Sequence, residues 1–178
     1  KPINMPKIFF SFLLLLLNTC LTSTAWGAGF SAKVSPPRFE LQGKPGEVIR
    51  EIVDIENAGD VAAVLSVRTA DWGLSETGGL TIFPPELQPG SCRPWARLER
   101  RSISLQPQSG KRFRFELHIP EQATAGECRL AILVEPGDEE SVMARARNIR
   151  FPVEGRIAII IYVTVGDATP VLSLQALE

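Results

Sequence analysis

The sequence has 178 residues, with 19 Lys and Arg, 20 Asp and Glu, and a formal net charge of −1 at pH 7. This near balance gives no electrostatic reason to expect a nucleic acid or an anionic membrane surface as the partner. Hydrophobic residues make up 44% of the chain, which is enough for one domain with a full core.

Residues 1–27 have the pattern of a secretory signal peptide. Lys7 precedes an apolar run, Ile8–Leu17, and small and polar residues then lead to a cleavage site after Gly27. The apolar run is too short for a transmembrane helix of ~20 residues. A lipid anchor on Cys20 is the alternative, but the residues before this cysteine fit such a motif poorly. We therefore predict export.

Cleavage after Gly27 removes two basic residues, Lys1 and Lys7, and no acidic ones. The mature chain then has 17 basic residues (19 − 2) and 20 acidic residues, a net charge of −3. It keeps two cysteines, Cys92 and Cys128, and in an exported protein such a pair most simply forms one disulfide. A two-cysteine metal site is the alternative, but it lacks partners because His118 is the only histidine.

Short segments with β-strand pattern follow one another along the chain, and none has a convincing helical period. The predicted strands are Phe30–Leu41, Val48–Glu56, Val61–Trp72, Leu80–Phe83, Ala96–Leu105, Arg112–Ile119, Cys128–Glu135 and Asn148–Val165. Turn residues at intervals of about ten residues are typical of an antiparallel immunoglobulin-like β-sandwich of about seven strands. We predict one such all-β domain over residues 28–166, and a tail or the start of a second domain over residues 167–178.

Two local features refine this prediction. Pro36-Pro37 interrupts the first strand, which must therefore lie at an edge or switch sheets at that point, because proline lacks the N–H that a central strand needs. The turn-like sequence Asn57–Asp60 predicts a hairpin between the second and third strands. A second hairpin is predicted between Ala96–Leu105 and Arg112–Ile119.

The last predicted strand changes character along its length. Ile149, Phe151 and Val153 alternate with polar residues or proline, which is typical of a strand with one wet face. From Ile157 to Val165 almost every residue is apolar, which is typical of a strand covered on both faces. The strand is therefore predicted to be half edge and half core.

Catalysis finds little support in the residues. The sequence shows no Ser/His/acid set, metal triad or paired carboxylates, and the single His118 falls on the polar face of its strand. A basic cross-strand surface is more consistent with a solvated sheet face than with an anion site. Its residues are Arg97, Arg100, Arg101, Arg112 and Arg114. We expect no enzyme activity, no catalytic residue, no metal and no cofactor.

Several segments resemble the N-terminal domain of the PapD-like periplasmic pilus chaperones, over most of residues 30–165. The segments are Ser35-Pro-Pro-Arg38, Ile82-Phe-Pro-Pro-Glu-Leu-Gln-Pro-Gly90, Ser104–Phe115, Leu117-His-Ile-Pro120, Cys128–Ile132 and the last strand from Ile149. The resemblance implies a periplasmic chaperone that completes the fold of a pilin-like subunit with its own last strand. An outer-membrane usher is a second partner that the resemblance suggests, whereas no nucleic acid or small-molecule substrate is expected.

The resemblance also assigns roles to individual residues. The donor residues fall on Ile149, Phe151 and Val153, and the basic residue that anchors the subunit's terminal carboxylate falls on Arg38. The family's anchoring lysine falls on Ala158, and Arg156, two residues earlier, is its predicted substitute because a guanidinium binds a carboxylate bidentately. The alternative is a structural or adhesive immunoglobulin-like module of an envelope protein, in which the same three apolar residues pack into its own core.

Overall fold

The computed structural model describes residues 31–137 and 155–168, which form eleven β-strands and one 3₁₀ turn, Arg93–Trp95. The strands are β1 Ala32–Ser35, β2 Arg38–Gly43, β3 Val48–Asn57, β4 Ala63–Ala70, β5 Trp72–Leu74, β6 Leu80–Ile82, β7 Ala96–Leu98, β8 Ser102–Leu105, β9 Ser109–His118, β10 Gly126–Pro136 and β11 Ile157–Val165. Within the same residues, no helix is long and apolar enough to cross a membrane.

The strands form an immunoglobulin-like β-sandwich, as predicted. One sheet has the order β1-β3-β9-β7 and the other has the order β2-β11-β10-β4-β8, while β5 and β6 form a separate two-stranded ribbon. Pairing is antiparallel except between β2 and β11, which run parallel. The predicted switch at Pro36-Pro37 is confirmed, because β1 is an edge strand of the first sheet and β2 is an edge strand of the second.

Both predicted hairpins need correction. The second and third predicted strands do not pair, because β3 lies between β1 and β9 while β4 lies between β10 and β8. The buried Asn57 side chain holds the chain where it crosses between sheets: Nδ2 donates to Val61 O at 2.7 Å and to Gln106 O at 3.2 Å. In the second hairpin only β7 pairs with β9, whereas β8 crosses to pair with β4.

The inward faces of the two large sheets form the main core. Phe113, Phe115 and Leu117 on β9 are almost fully buried, and the alternate residues of β9 face solvent or lie at intermediate burial. Phe39 meets Phe115 edge to face, with ring centroids 5.3 Å apart, a geometry that aromatic pairs favour. The core therefore fixes the position of β2, and with it the position of Arg38.

The central strand β10 is buried on both faces over residues 130–134. Leu130, Ile132 and Val134 face the main core, while Ala131 and Leu133 face outward and are equally inaccessible to solvent. The two outward residues pack with Ala70 and Trp72 in what we call the outer-face cluster. Ile82, Ala158, Ile160 and Tyr162 lie against this cluster and are partly buried.

Candidate functional site

The first residues of β11 lie at an open edge of the five-stranded sheet. Strand β11 pairs with β10 along its whole length, from Ile157 to Val165. On its other side β2 begins only at Arg38, opposite Ile160. Within residues 31–137 and 155–168, no strand pairs with Ile157–Ile159 on the side away from β10.

The backbone orientation of β11 shows which groups face this edge. Ile160 N–H points toward β2 and donates to Pro37 O at 2.9 Å. Backbone groups two residues apart in a strand point to the same side, so the N–H and C=O of Ala158 face the open edge. An incoming strand that continues the line of β2 would find these groups ready to pair.

The three predicted donor residues, Ile149, Phe151 and Val153, lie outside the described residues. What the structure adds is the strand that follows them. This strand pairs with β10 on one side, and its first residues, Ile157–Ile159, have no partner strand on the other side within the described residues. Their role in strand donation stays a prediction.

Arg38 is exposed on the outer face of the five-stranded sheet, at the first position of β2. Its Nη2 lies 2.6 Å from Glu40 Oε1, and its Cζ lies 4.5 Å from the centroid of the Tyr162 ring. Both distances are within the ranges of an ion pair and a cation–π contact. Arg38 is therefore near the open edge, and two neighbours already contact its guanidinium.

Arg156 precedes β11 and forms an ion pair with Glu135, whose carboxylate also binds Arg68. Arg68 donates from Nε at 2.8 Å and from Nη2 at 3.0 Å. Burial raises the pKa of Glu135, but the hydrogen bonds and charges of the two arginines outweigh burial and hold the pKa below its ordinary value. Two guanidinium groups thus share one described carboxylate.

The two predicted anchor residues lie on the same face of the sheet, at different heights along paired strands. Arg156 is four positions before Ile160, the residue that pairs with Arg38, and four strand positions span about 13 Å. Each guanidinium instead contacts a different carboxylate, Glu40 or Glu135. Their joint role in binding a client carboxylate stays a prediction.

The lowered pKa of Glu135 predicts a loss of stability in acid. A depressed carboxyl pKa contributes stability above its unfolded value, and this contribution disappears as the pH falls through the folded value. We expect the free energy of unfolding to decline below pH about 4.3, and to decline less in Glu135→Gln. Urea unfolding between pH 3 and pH 7 measures both slopes, and equal slopes for parent and variant would contradict the prediction.

The predicted disulfide between Cys92 and Cys128 is present in the structure. Cys92 is fully buried at the start of the 3₁₀ turn, and Cys128 lies on β10 against the main core. The bond therefore ties the loop between β6 and β7 to the central strand of the five-stranded sheet. Its burial at Cys92 marks it as structural.

The basic surface lies mainly on the four-stranded sheet. Arg97, Arg112 and Arg114 are exposed on its strands, and the nearest carboxylates to the last two, Asp54 and Glu99, are 4.0 and 3.8 Å away. Such exposed pairs contribute little to stability.

His118 is also exposed and contacts Glu116 at 2.7 Å. Hydrogen bonds from His118 and Arg50 lower the pKa of Glu116. Among the residues that the structure describes, no group of three or more His, Cys, Asp or Glu is placed to hold a metal ion.

Sequence reasoning missed the residues that surround Arg38 and Arg156. Tyr162, Glu40 and Glu135 carry no motif, and their contacts depend on which strands are neighbours in the sheet. The apolar run Ile157–Val165 correctly indicated a buried strand, but Tyr162 within it faces outward and contacts the arginine.

Comparison with known proteins places this arrangement in a structural class. No family model and no curated protein sequence matches the chain. Among solved structures, the class 5 fimbriae chaperone CfaA aligns with a TM-score of 0.52 and 12% identity, over 76% of this chain and 57% of that chain. A chaperone–tip adhesin complex of CFA/I fimbriae aligns with a TM-score of 0.53 and 11% identity, over 76% and 56%.

The fold also occurs outside fimbriae. The PapD-like domain 7 of human CEP192 aligns with a TM-score of 0.51 and 13% identity, over 79% of this chain and 89% of that chain. At identities of 11–13% these similarities define the fold: the chain is a PapD-like immunoglobulin-like β-sandwich. The chain spans 57% and 56% of the length of the two fimbrial proteins.

The comparison also bears on enzyme activity. The two fimbrial neighbours are a chaperone and a chaperone–tip adhesin complex. A family 123 glycoside hydrolase from Clostridium perfringens aligns with a TM-score of 0.50 and 8% identity, over 75% of this chain but only 26% of that chain. A non-enzymatic role enters the proposal below.

Proposed function

We propose that this protein is a periplasmic, non-enzymatic chaperone domain that holds a pilin-like subunit by donating its last strand. The observation that carries the proposal is the edge at Ile157–Ile159, which is open within the described residues and follows the alternating segment Ile149–Val153 after three further residues. β-Augmentation at such an edge supplies main-chain hydrogen bonds, and alternating apolar side chains supply specificity. Fimbrial chaperones with the same fold support the proposal.

The parallel pairing of β2 and β11 gives the client strand a direction. Because β2 runs parallel to β11 and begins at Arg38, a parallel client strand in the same line has its carboxyl end directed toward Arg38. A terminal carboxylate there would meet a guanidinium, a strong and directional pairing. The proposed roles of Arg38 as anchor and of the last strand as donor therefore agree with each other.

The test is Phe151→Asp, measured for client binding and for stability in the same preparations. Strand donation predicts that the free energy of unfolding of the isolated protein changes by less than about 0.5 kcal/mol. It also predicts that the affinity for pilin-like subunits of the same organism, co-expressed with the protein, falls at least about 30-fold. A loss of this size is typical when a central interface residue is replaced.

The matched control is Ile52→Asp, the same kind of change at an apolar residue that is 42% exposed on the other sheet. It should leave subunit binding unchanged. A structural module without strand donation predicts the opposite result for Phe151→Asp: a loss of ~3 kcal/mol or more in stability, because the ring would leave the domain's own core. That result, or unchanged subunit binding, would exclude strand donation.

A further inference from the structure

Arg38 is not free in the structure, and its two partners lie in the same direction. Glu40 is two residues further along β2. On β11, Ile160 pairs with Arg38. Tyr162, two residues further along β11, pairs with Glu40. The guanidinium therefore lies along the outer face in the downstream direction, whereas the open edge at Ile157–Ile159 lies upstream.

The Tyr162 ring is a fixed support for this guanidinium. Trp72 meets the ring edge to face, with centroids 5.3 Å apart, and Trp72 is itself held by a 3.0 Å hydrogen bond from Nε1 to Leu130 O. The Arg129 guanidinium lies 5.6 Å from the Tyr162 centroid and 5.7 Å from the Trp72 centroid. Since Trp72 is only 5% exposed, the aromatic pair has little freedom to move.

Each arginine beside the Tyr162 ring has its own carboxylate. Arg38 contacts Glu40 at 2.6 Å, and Arg129 contacts Glu127 at 2.8 Å. The two carboxylates offset the repulsion between two cations that share one ring. Glu40 differs from Glu127 in one respect. The arginine that Glu40 contacts, Arg38, is the first residue of β2 and therefore lies next to the open edge.

We propose that Glu40 is an internal competitor for the client carboxylate. In the free protein Glu40 and the Tyr162 ring hold Arg38 away from the open edge, and an arriving terminal carboxylate takes the place of Glu40 on the guanidinium. This inference rests on the proposed function, in which Arg38 is the anchor. The inference adds Glu40 and Tyr162 as positioning residues. They set the affinity that the terminal carboxylate of a client needs in order to bind Arg38.

The exchange of Glu40 for a client carboxylate is selective because Arg38 binds a carboxylate both before and after it. A carboxylate replaces a carboxylate on the same guanidinium, so the gain from any single ion pair is nearly cancelled. A chain end that also adds main-chain hydrogen bonds along Ala158 gains further free energy, whereas a free carboxylate in solution does not. Arg38 would therefore discriminate a docked strand end from small periplasmic acids.

The experiment titrates the full chain with N-acetyl-L-valine, which carries one α-carboxylate after one apolar residue, and follows the Arg38 Nε–H signal by NMR. N-acetyl-L-valinamide, which lacks the charge, is the ligand control. We expect the parent to bind the acid weakly and saturably. Glu40→Gln should lower the Kd about two- to fivefold, because an exposed ion pair of ordinary strength no longer competes.

Matched variants separate competition from a general change in charge. Glu127→Gln removes an equivalent carboxylate from the same face and should leave the Kd at Arg38 unchanged. Tyr162→Leu removes the aromatic support and should also lower the Kd, whereas Tyr162→Phe keeps the ring and should retain the parent value.

Two results would overturn the inference in different ways. If the parent binds the acid but Glu40→Gln binds it no more tightly, Glu40 is not a competitor, and Arg38 stands as the anchor. If the Arg38 signal of the parent shows no saturable response to the acid, Arg38 is not a carboxylate anchor. The proposed function then loses the anchoring role of Arg38. The Phe151→Asp test of strand donation is independent of both results.

Discussion

Replacing Cys92 and Cys128 together by alanine lowers the free energy of unfolding by about 4 kcal/mol. The bond joins residues separated by 36 positions, and closing a loop of that length removes about this much chain entropy from the unfolded state. Cys92 is also fully buried, so its replacement by alanine removes a buried sulfur atom from the core as well. Urea unfolding of the oxidised parent and the double variant measures the difference.

The controls use the same two residues. Either single substitution should destabilise the protein about as much as the double one, because the disulfide is lost in each case. Reducing the parent with excess thiol should give the same unfolding midpoint as the double variant. A double variant within about 1 kcal/mol of the parent, or two free thiols in the denatured and unreduced protein, would contradict the prediction.

The sequence predicted those parts of the fold that depend on local periodicity. Along β9 the alternation of Phe113, Phe115 and Leu117 with charged residues fixed which face is buried, because side chains in a strand point to opposite faces in turn. Pro36-Pro37 likewise marked a break, because proline cannot donate in a ladder. Both predictions depend only on the strand's own residues, so they hold whichever strands pair with it in the sheet.

Strand partners were harder to predict, for a physical reason. A turn signal such as Asn57–Asp60 indicates that the chain reverses, but not which sheet it enters next. Here the Asn57 side chain caps the crossing by bonding to backbone carbonyls at Val61 and Gln106. One of these partners is 49 residues away in sequence, so no local pattern contains the information that separates a hairpin from a crossover.

In the candidate site, too, residues with a local sequence signal could be predicted, and residues whose contacts depend on strand pairing could not. Arg38 was found through a short motif that resembles a known family, and Cys92 and Cys128 were paired by counting. Glu40 and Tyr162 were not found, because their contacts exist only when β2 runs parallel to β11 in one register. A parallel pair that brings sequence positions 38 and 160 together is set by the whole sandwich.

The outer-face cluster lies on a strand whose sequence is typical of burial on both faces. Five consecutive apolar residues, Leu130–Val134, are typical of a strand that is covered on both faces. The structure buries Ala131 and Leu133 completely, and this second covered face is what supports Tyr162 beside Arg38.

Asp71→Ala should destabilise the protein by about 3–5 kcal/mol, the cost of breaking a buried ion pair from one side. Asp71 is 3% exposed and accepts hydrogen bonds from Ser91 Oγ at 2.6 Å, Gln88 N at 3.2 Å and Arg93 Nη1 at 3.3 Å. The Arg93 side chain is only 15% exposed, so removing the carboxylate leaves a buried cation without its counter-charge. Urea unfolding of parent and variant at pH 7 measures the loss.

The decisive control removes both charges. In Asp71→Ala/Arg93→Met the cation is absent, so the double variant should be more stable than Asp71→Ala alone, although Ser91 and Gln88 still lose an acceptor. Arg68→Met, which breaks a half-exposed pair with Glu135, should cost only about 1 kcal/mol. If Asp71→Ala cost no more than Arg68→Met, the Asp71–Arg93 pair would contribute no more to stability than a half-exposed ion pair does.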